Sequence, residues 1–275
     1  MSKDKLNIGI LTDLSFDKFA PTKQNKKMVS MYANMSQSDA RMHRGRTDLV
    51  ESSWVREIKS LESEARVLYH DNTLSYQRRG MRLLPTARIV PYQDELARVK
   101  KKWELAVEDF VAKWEVILDD ARQRLNGDFD PAKYPSSSSI RSRFAMVVEF
   151  MPMPDNGRLP SYLEDAAESM LDGRLKEAGK ELRTRLIDKL THLADKCASV
   201  GGESAGKFYT SNVTNVIELC ELLPDMLVGD DPELVKAIED AKRMLDGLDA
   251  DAIKSSEIIA QDVKAKASAI ASSLI

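Results

Sequence analysis

Between residues 91 and 125 the chain reads PYQDELARVKKKWELAVEDFVAKWEVILDDARQRL, and large apolar side chains recur there at every seventh position. Leu96, Trp103, Phe110 and Ile117 form one row, and Val107, Trp114 and Ala121 a second beside it. That spacing puts them on one stripe of a helix, which must be buried against another element. Pro91 suits a first helical turn, Asp94 and Glu95 suit the positive end of the macrodipole, and Asn126-Gly127 suits a left-handed end. At about 1.5 Å per residue such a helix is roughly 50 Å long. Residues 161–200 hold a matching three-four rhythm through Leu163, Ala167, Met170, Leu171, Leu175, Ala178, Leu182, Leu186, Leu190, Leu193 and Cys197, closed by Gly201-Gly202. Together they predict a long antiparallel coiled-coil hairpin with arms at about 91–126 and 160–200. Gly173 and Gly179 each weaken the second arm by about 1 kcal/mol relative to alanine, which predicts close packing or a soft spot there.

The rest of the chain is read around this hairpin. Residues 6–14 alternate as a short strand, residues 48–74 carry helical spacing through Val50, Trp54, Ile58, Leu61, Ala65 and Leu68, and Pro85 and Pro91 interrupt the next stretch. An extended connection follows, with Leu83, Leu84, Ile89 and Val90 turned inward. After a turn-rich segment, Phe144, Met146, Val148 and Phe150 alternate as a strand over 143–151 that pairs with residues 6–14. Helices are predicted at 211–223, at 232–245 and from 250 onward, with Ser211 and Asp231 as N-caps. The last carries Ile259, Val263, Ala267, Ile270 and Leu274 on one face. Twelve glycines, ten prolines and 6% aromatics argue against a barrel or sandwich. The predicted class is mainly α with a small β element, a minor α+β component. The chain divides into a basic region at 1–90, the hairpin at 91–200 and C-terminal helices at 201–275.

The motifs exclude more than they assign. Residues 201–207, GGESAGK, fit G-x-x-x-x-G-K, yet a phosphate-binding loop needs a preceding strand and a following Ser or Thr, and Phe208 stands there. The segment therefore reads as a glycine cap and turn. His192 follows Asp188 by four residues, which suits a surface pair rather than a metal site. Asp119, Asp120, Asp128 and Asp130 lack calcium-loop spacing. Cys197 and Cys220 lie far apart with no histidine beside them, which suits reduced thiols in a cytoplasmic protein. No apolar run is long enough to span a bilayer. No catalytic set, cofactor site or metal site is predicted.

Charge is the better lead. Residues 1–102 hold 20 Lys/Arg against 12 Asp/Glu, and residues 103–275 hold 21 against 32, so a net +8 faces a net −11. The cations gather in two patches: Lys23, Lys26, Lys27, Arg41, Arg44 and Arg46, then Arg78, Arg79 and Arg82. Basic patches with Tyr32 and Tyr76 among them are what sequence-tolerant single-stranded DNA binding uses. The same polarity suits docking on the acidic half of another copy of the chain. Met28, Met31 and Met35 fall at helical spacing beside Lys23, Lys26 and Lys27, an adaptable stripe that serves either a partner surface or the core.

The runs RLLPTARIVPYQDEL, FVAKWEVILDDARQRLNGDFDPAKYPSSSSIRSRFAMVVEFMPMPD and VIELCELLPDMLVGDDPELVKAIEDAKRMLDGLDADAIKSS cover most of residues 80–262. They resemble a family of phage, prophage and bacterial proteins known as domain of unknown function 3150. The likeness rests on the D-P-x-x-Y-P-S turn after the long helix, the aromatic strand behind it and the late D-D-P-E-L helix start. It implies no catalytic residues. It implies a phage or prophage origin in a bacterial host, and a neighbourhood of MoxR-like AAA+ ATPases and von Willebrand A-type proteins. The reading is thus a non-enzymatic interaction or scaffold protein that self-associates or docks on such a partner. The alternative is a single-stranded nucleic-acid-binding protein of phage replication or recombination.

Overall fold

A computed structural model describes residues 8–76, 80–153, 161–200 and 208–275, with backbone alone at 161 and 164. The described residues are mainly helical, with a small antiparallel sheet. Four strands, β1 (Gly9–Asp17), β4 (Leu74–Ser75), β5 (Arg82–Pro85) and β6 (Ala145–Pro152), form one sheet in the order β4-β5-β1-β6. The neighbours β1 and β6 are the two strands read from the alternation at residues 6–14 and 143–151. In the antiparallel β1–β5 ladder Gly9 faces Pro85 and Thr12 faces Arg82. The chain groups into two compact units built from non-consecutive segments, where the sequence reading divides it consecutively.

One unit comprises Leu14–Asp71 and Tyr92–Glu149. It holds α2 (Arg56–Asn72) up to Asp71, nearly all of α3 (Ile89–Ala112) and all of α4 (Trp114–Leu125). The long helix is interrupted at a single residue, Lys113, whose backbone (φ −92°, ψ 6°) leaves the α basin. Leu96, Trp103, Phe110, Ile117, Val107, Trp114 and Ala121 are all buried, so the seven-residue stripe is a core stripe. Its aromatic members meet other rings: Phe16 on Trp103, Phe19 on Trp114 at 5.4 Å, and Phe144 on Phe110 at 5.5 Å. Edge-to-face pairs of this kind add to the burial term. The helix expected over 48–74 starts only at Arg56, because Arg46–Asp48 is a strand and 52–55 are turns.

The other unit comprises Met1–Asp13, Asn72–Pro91 and Phe150–Ile275. It holds α5 (Ser161–Ala198), α6 (Ser211–Met226), α7 (Pro232–Leu245), α8 (Ala250–Ser255) and α9 (Glu257–Ser272). Leu182, Leu186, Leu190 and Leu193 of α5 join Val216, Leu223, Ile238, Ala241, Val263 and Ala267 in one apolar cluster. Here α5 packs chiefly on α9 and α6. The two predicted hairpin arms thus fall in separate units, and the stripe of α5 is covered by helices of its own unit. Heptad spacing states that a face is buried and leaves open what covers it. The first turns of α5 also depart from the pattern, since Leu163 and Met170 are exposed. Gly173 and Gly179 have open space where a Cβ would stand, so neither marks close packing. Leu83 and Leu84 are buried as predicted, whereas Val90 is exposed on α3. Asp231 caps α7 by accepting from the Leu234 N–H, whereas Thr210, not Ser211, stands at the N-cap of α6. Ser256 divides the last predicted helix into α8 and α9 and caps α9.

Among the described residues no helix is long and apolar enough to cross a membrane.

Candidate protein-docking surface

The basic, methionine-rich stretch forms a closed excursion. Its two ends, β2 (Thr22–Gln24) and β3 (Arg46–Asp48), pair antiparallel, with Thr22 opposite Asp48 and Gln24 opposite Arg46. The Thr22 hydroxyl donates to the Asp48 carboxylate at 2.8 Å, and the Asn25 amide donates to the Thr47 hydroxyl at 2.8 Å. Between the strands lie α1 (Lys26–Ser36) and a 3-10 turn, Ala40–Met42. Asn25 caps α1 by accepting from the Met28 N–H, and Gln37 ends it in the left-handed conformation (φ 51°). A Cβ on Gly45 would sit 3.2 Å from both Met28 Sδ and Val29 Cγ2, so the lack of a side chain there lets the return strand lie against the helix.

Only Val29 and Ala33 of α1 are buried. Met28, Met31, Tyr32 and Met35 are exposed, Met35 to 83%, and Met42 of the 3-10 turn to 80%. Of the two readings of the methionine stripe, packing on the core therefore does not hold for these side chains. The Tyr32 ring stands edge-on to His43 at 4.9 Å, which ties the helix to the chain that follows it. A helix with so narrow a buried face leaves a row of apolar side chains exposed beside its cations, and methionine side chains are flexible enough to take many shapes.

The predicted site cations are placed as follows. Lys23, Lys26, Lys27, Arg41, Arg44 and Arg46 all belong to this excursion. The Arg41 guanidinium donates to both carboxylate oxygens of Asp39 through three hydrogen bonds, which keep the Asp39 carboxyl below its usual range. Lys23 donates to the Lys133 carbonyl at 3.2 Å, and Lys27 stands 3.9 Å from Asp128. Lys26, Arg44 and Arg46 are exposed and make no ion pair among the described residues. Arg82 lies in the other unit and faces a carboxylate, donating to Glu181 at 2.7 Å and to both oxygens of Thr73, with its side chain 15% exposed. It is a structural arginine. Arg78, Arg79 and the 201–207 segment lie outside the described residues.

Other predicted features take ordinary roles. The acids near the end of α4 are paired, Asp119 with Arg122 and Asp120 with Arg124, while Asp130 caps a 3-10 turn through the Ala132 N–H. Glu181 of α5 is drawn into a cluster with Arg82 and Arg185, which both donate to it. Among the described residues no group of three or more His, Cys, Asp and Glu could hold a metal ion. Tyr32 and Met42 complete the exposed apolar surface and stand outside the predicted partner stripe. The β2–β3 neck is also absent from the sequence reading, because three-residue strands are too short to show a period. No protein-family model matches the chain, and neither does any curated protein or solved structure.

Proposed function

We propose that this is a non-enzymatic scaffold protein that self-associates, the excursion of one copy seating its methionines on the acidic helical unit of another. The observation that carries this reading is the exposed row Met28, Met31 and Met35 on the helix of an excursion whose two ends are paired as a neck. Charge supports it: residues 22–48 hold six Lys/Arg against two Asp, and residues 150–275 hold 15 Lys/Arg against 23 Asp/Glu. Apolar contact supplies affinity in such a seat, and opposite charge supplies orientation and rate. The likeness to the phage and prophage family supports a scaffold rather than a catalyst.

Light scattering on a sizing column tests it. The expected result is a mass above the 30.9 kDa of one chain, rising with concentration and falling to one chain in the double variant Met31→Glu, Met35→Glu. A single chain at every concentration overturns self-association. The same variant then tests docking on a MoxR-like AAA+ ATPase or a von Willebrand A-type protein, the partners the resemblance implies. A single-stranded oligonucleotide added to the same column tests the nucleic-acid alternative, for which the excursion supplies cations and Arg82 does not.

A further inference from the structure

A second site lies beside the neck of the excursion, in the same unit. A pocket of about 320 Å³ is lined by Lys18, Lys23, Lys133 and Arg143, with Phe19 and Tyr134 among its walls and no acidic side chain. The four cations come from four separate places: the end of β1, strand β2, the Pro131–Lys133 turn and the Arg141–Arg143 turn. Convergence of like charges on one cavity costs energy unless something negative sits among them. Two are compensated, Lys18 by Glu62 at 2.5 Å and Lys133 by exposed Asp130 at 3.6 Å. Lys23 and Arg143 make no ion pair among the described residues, which leaves two positive charges facing the pocket.

Its wall is held firmly. The Tyr134 hydroxyl donates to the Leu49 carbonyl at 2.8 Å, its ring stacks on Phe129 at 5.1 Å, and the buried Trp114 indole donates to the Pro135 carbonyl at 3.1 Å. The 131–135 turn is therefore shaped before any ligand arrives, which lowers the ordering cost of binding.

We propose that this pocket binds a small phosphate monoester. Two uncompensated cations match the charge of about −1.5 to −2 that a monoester carries near pH 7. The arginine fork and the lysine ammonium groups, arriving from different directions, suit a tetrahedral group of oxygens better than a planar carboxylate. The aromatic wall and a volume near the lower end of ligand sites admit a body about the size of one ring. The proposal is independent of the docking role of the methionine row.

Phenyl phosphate is the probe, with the Trp114 indole N–H resonance as readout, assigned by its loss in Trp114→Phe. A saturable shift with a Kd of about 1 mM or tighter is expected. Benzoate, with the same ring and one charge, should bind at least several-fold more weakly. The exposed-site double variant Lys133→Ala, Arg143→Ala should weaken phenyl phosphate about tenfold or more while its melting curve stays that of the parent. The variant Lys26→Ala, Arg44→Ala, on excursion cations that do not line the pocket, should bind as the parent does. No saturable shift, equal affinity for benzoate, or equal weakening by the two double variants overturns the proposal. Binding of an oligothymidylate where phenyl phosphate does not bind overturns it in favour of a nucleic-acid surface.

Discussion

The carboxylate of Glu181, on α5, accepts the backbone N–H of Ser75, in the edge strand β4, at 2.6 Å. Its other oxygen accepts from Arg82 and Arg185, each at 2.7 Å, and both arginines also donate to the Thr73 carbonyl. One acidic side chain thereby joins the end of a sheet to the longest helix. An edge strand of two residues has too few ladder bonds to hold itself, and this cluster supplies the remainder.

Burial pushes the Glu181 carboxyl up, but the Ser75 N–H and the two arginines outweigh it and lower its pKa to about 2 from an ordinary 4.5. Because the folded value is depressed, its contribution is complete above the unfolded pKa and is lost as pH falls from about 5 towards 2. The shift sets an upper bound of about 3 kcal/mol, which solvent screening at this partly exposed carboxylate reduces. Glu181→Gln should cost stability of that order at pH 7 and little at pH 2, as read from urea midpoints at the two pH values. Equal losses at both would sink the electrostatic account.

Trp114 is 1% exposed and its indole N–H reaches the Pro135 carbonyl. Trp114→Phe should lower stability by about 1–3 kcal/mol, from the smaller ring and the carbonyl left without its donor. Trp54→Phe, at a half-buried indole 3.4 Å from Asp120, should cost well under half as much. Urea unfolding of the two variants side by side checks the ranking.

Gly9 opens β1 where the neighbouring strand passes closest. A Cβ there would lie 2.2 Å from the Leu84 carbonyl oxygen and 3.0 Å from the Pro85 Cα, both backbone atoms. Glycine in a strand marks such close approaches. Gly9→Ala should therefore displace β1 from β5, cost about 1–3 kcal/mol, and speed amide exchange along residues 9–12. Unchanged exchange would show that the strands adjust without parting.

Cys197 and Cys220 are buried in the helical unit, and burial pushes both thiols up to about 11. Since the thiolate is the reactive form, neither should react with a disulfide reagent at pH 8 until the protein unfolds, when both should react together. Rapid labelling of one thiol in native protein would reveal an opening of that unit.

Local physics was legible from one sequence. A stripe such as Leu96, Trp103, Phe110 and Ile117 needs only helical spacing to be recognised as buried, and Asp231 followed by Pro232 announces a helix start because the cap bond is made within three residues. Charge distribution also survives folding, so the excursion's cations were visible as a patch. What tertiary structure alone decided was the partner of each face. Nothing in the spacing of Leu182, Leu186 and Leu190 distinguishes α9 and α6 from the long helix at 91–125 as their cover, because apolar burial is non-directional. The same limit governs the cations. Lys26 and Arg82 are alike as letters in a basic stretch, yet one stands in solvent and the other is claimed by Glu181, 99 residues away in the chain. The anion pocket shows the limit most fully. Its four cations lie between positions 18 and 143, and only the packing of the turns at 131–133 and 141–143 beside β2 makes them one site.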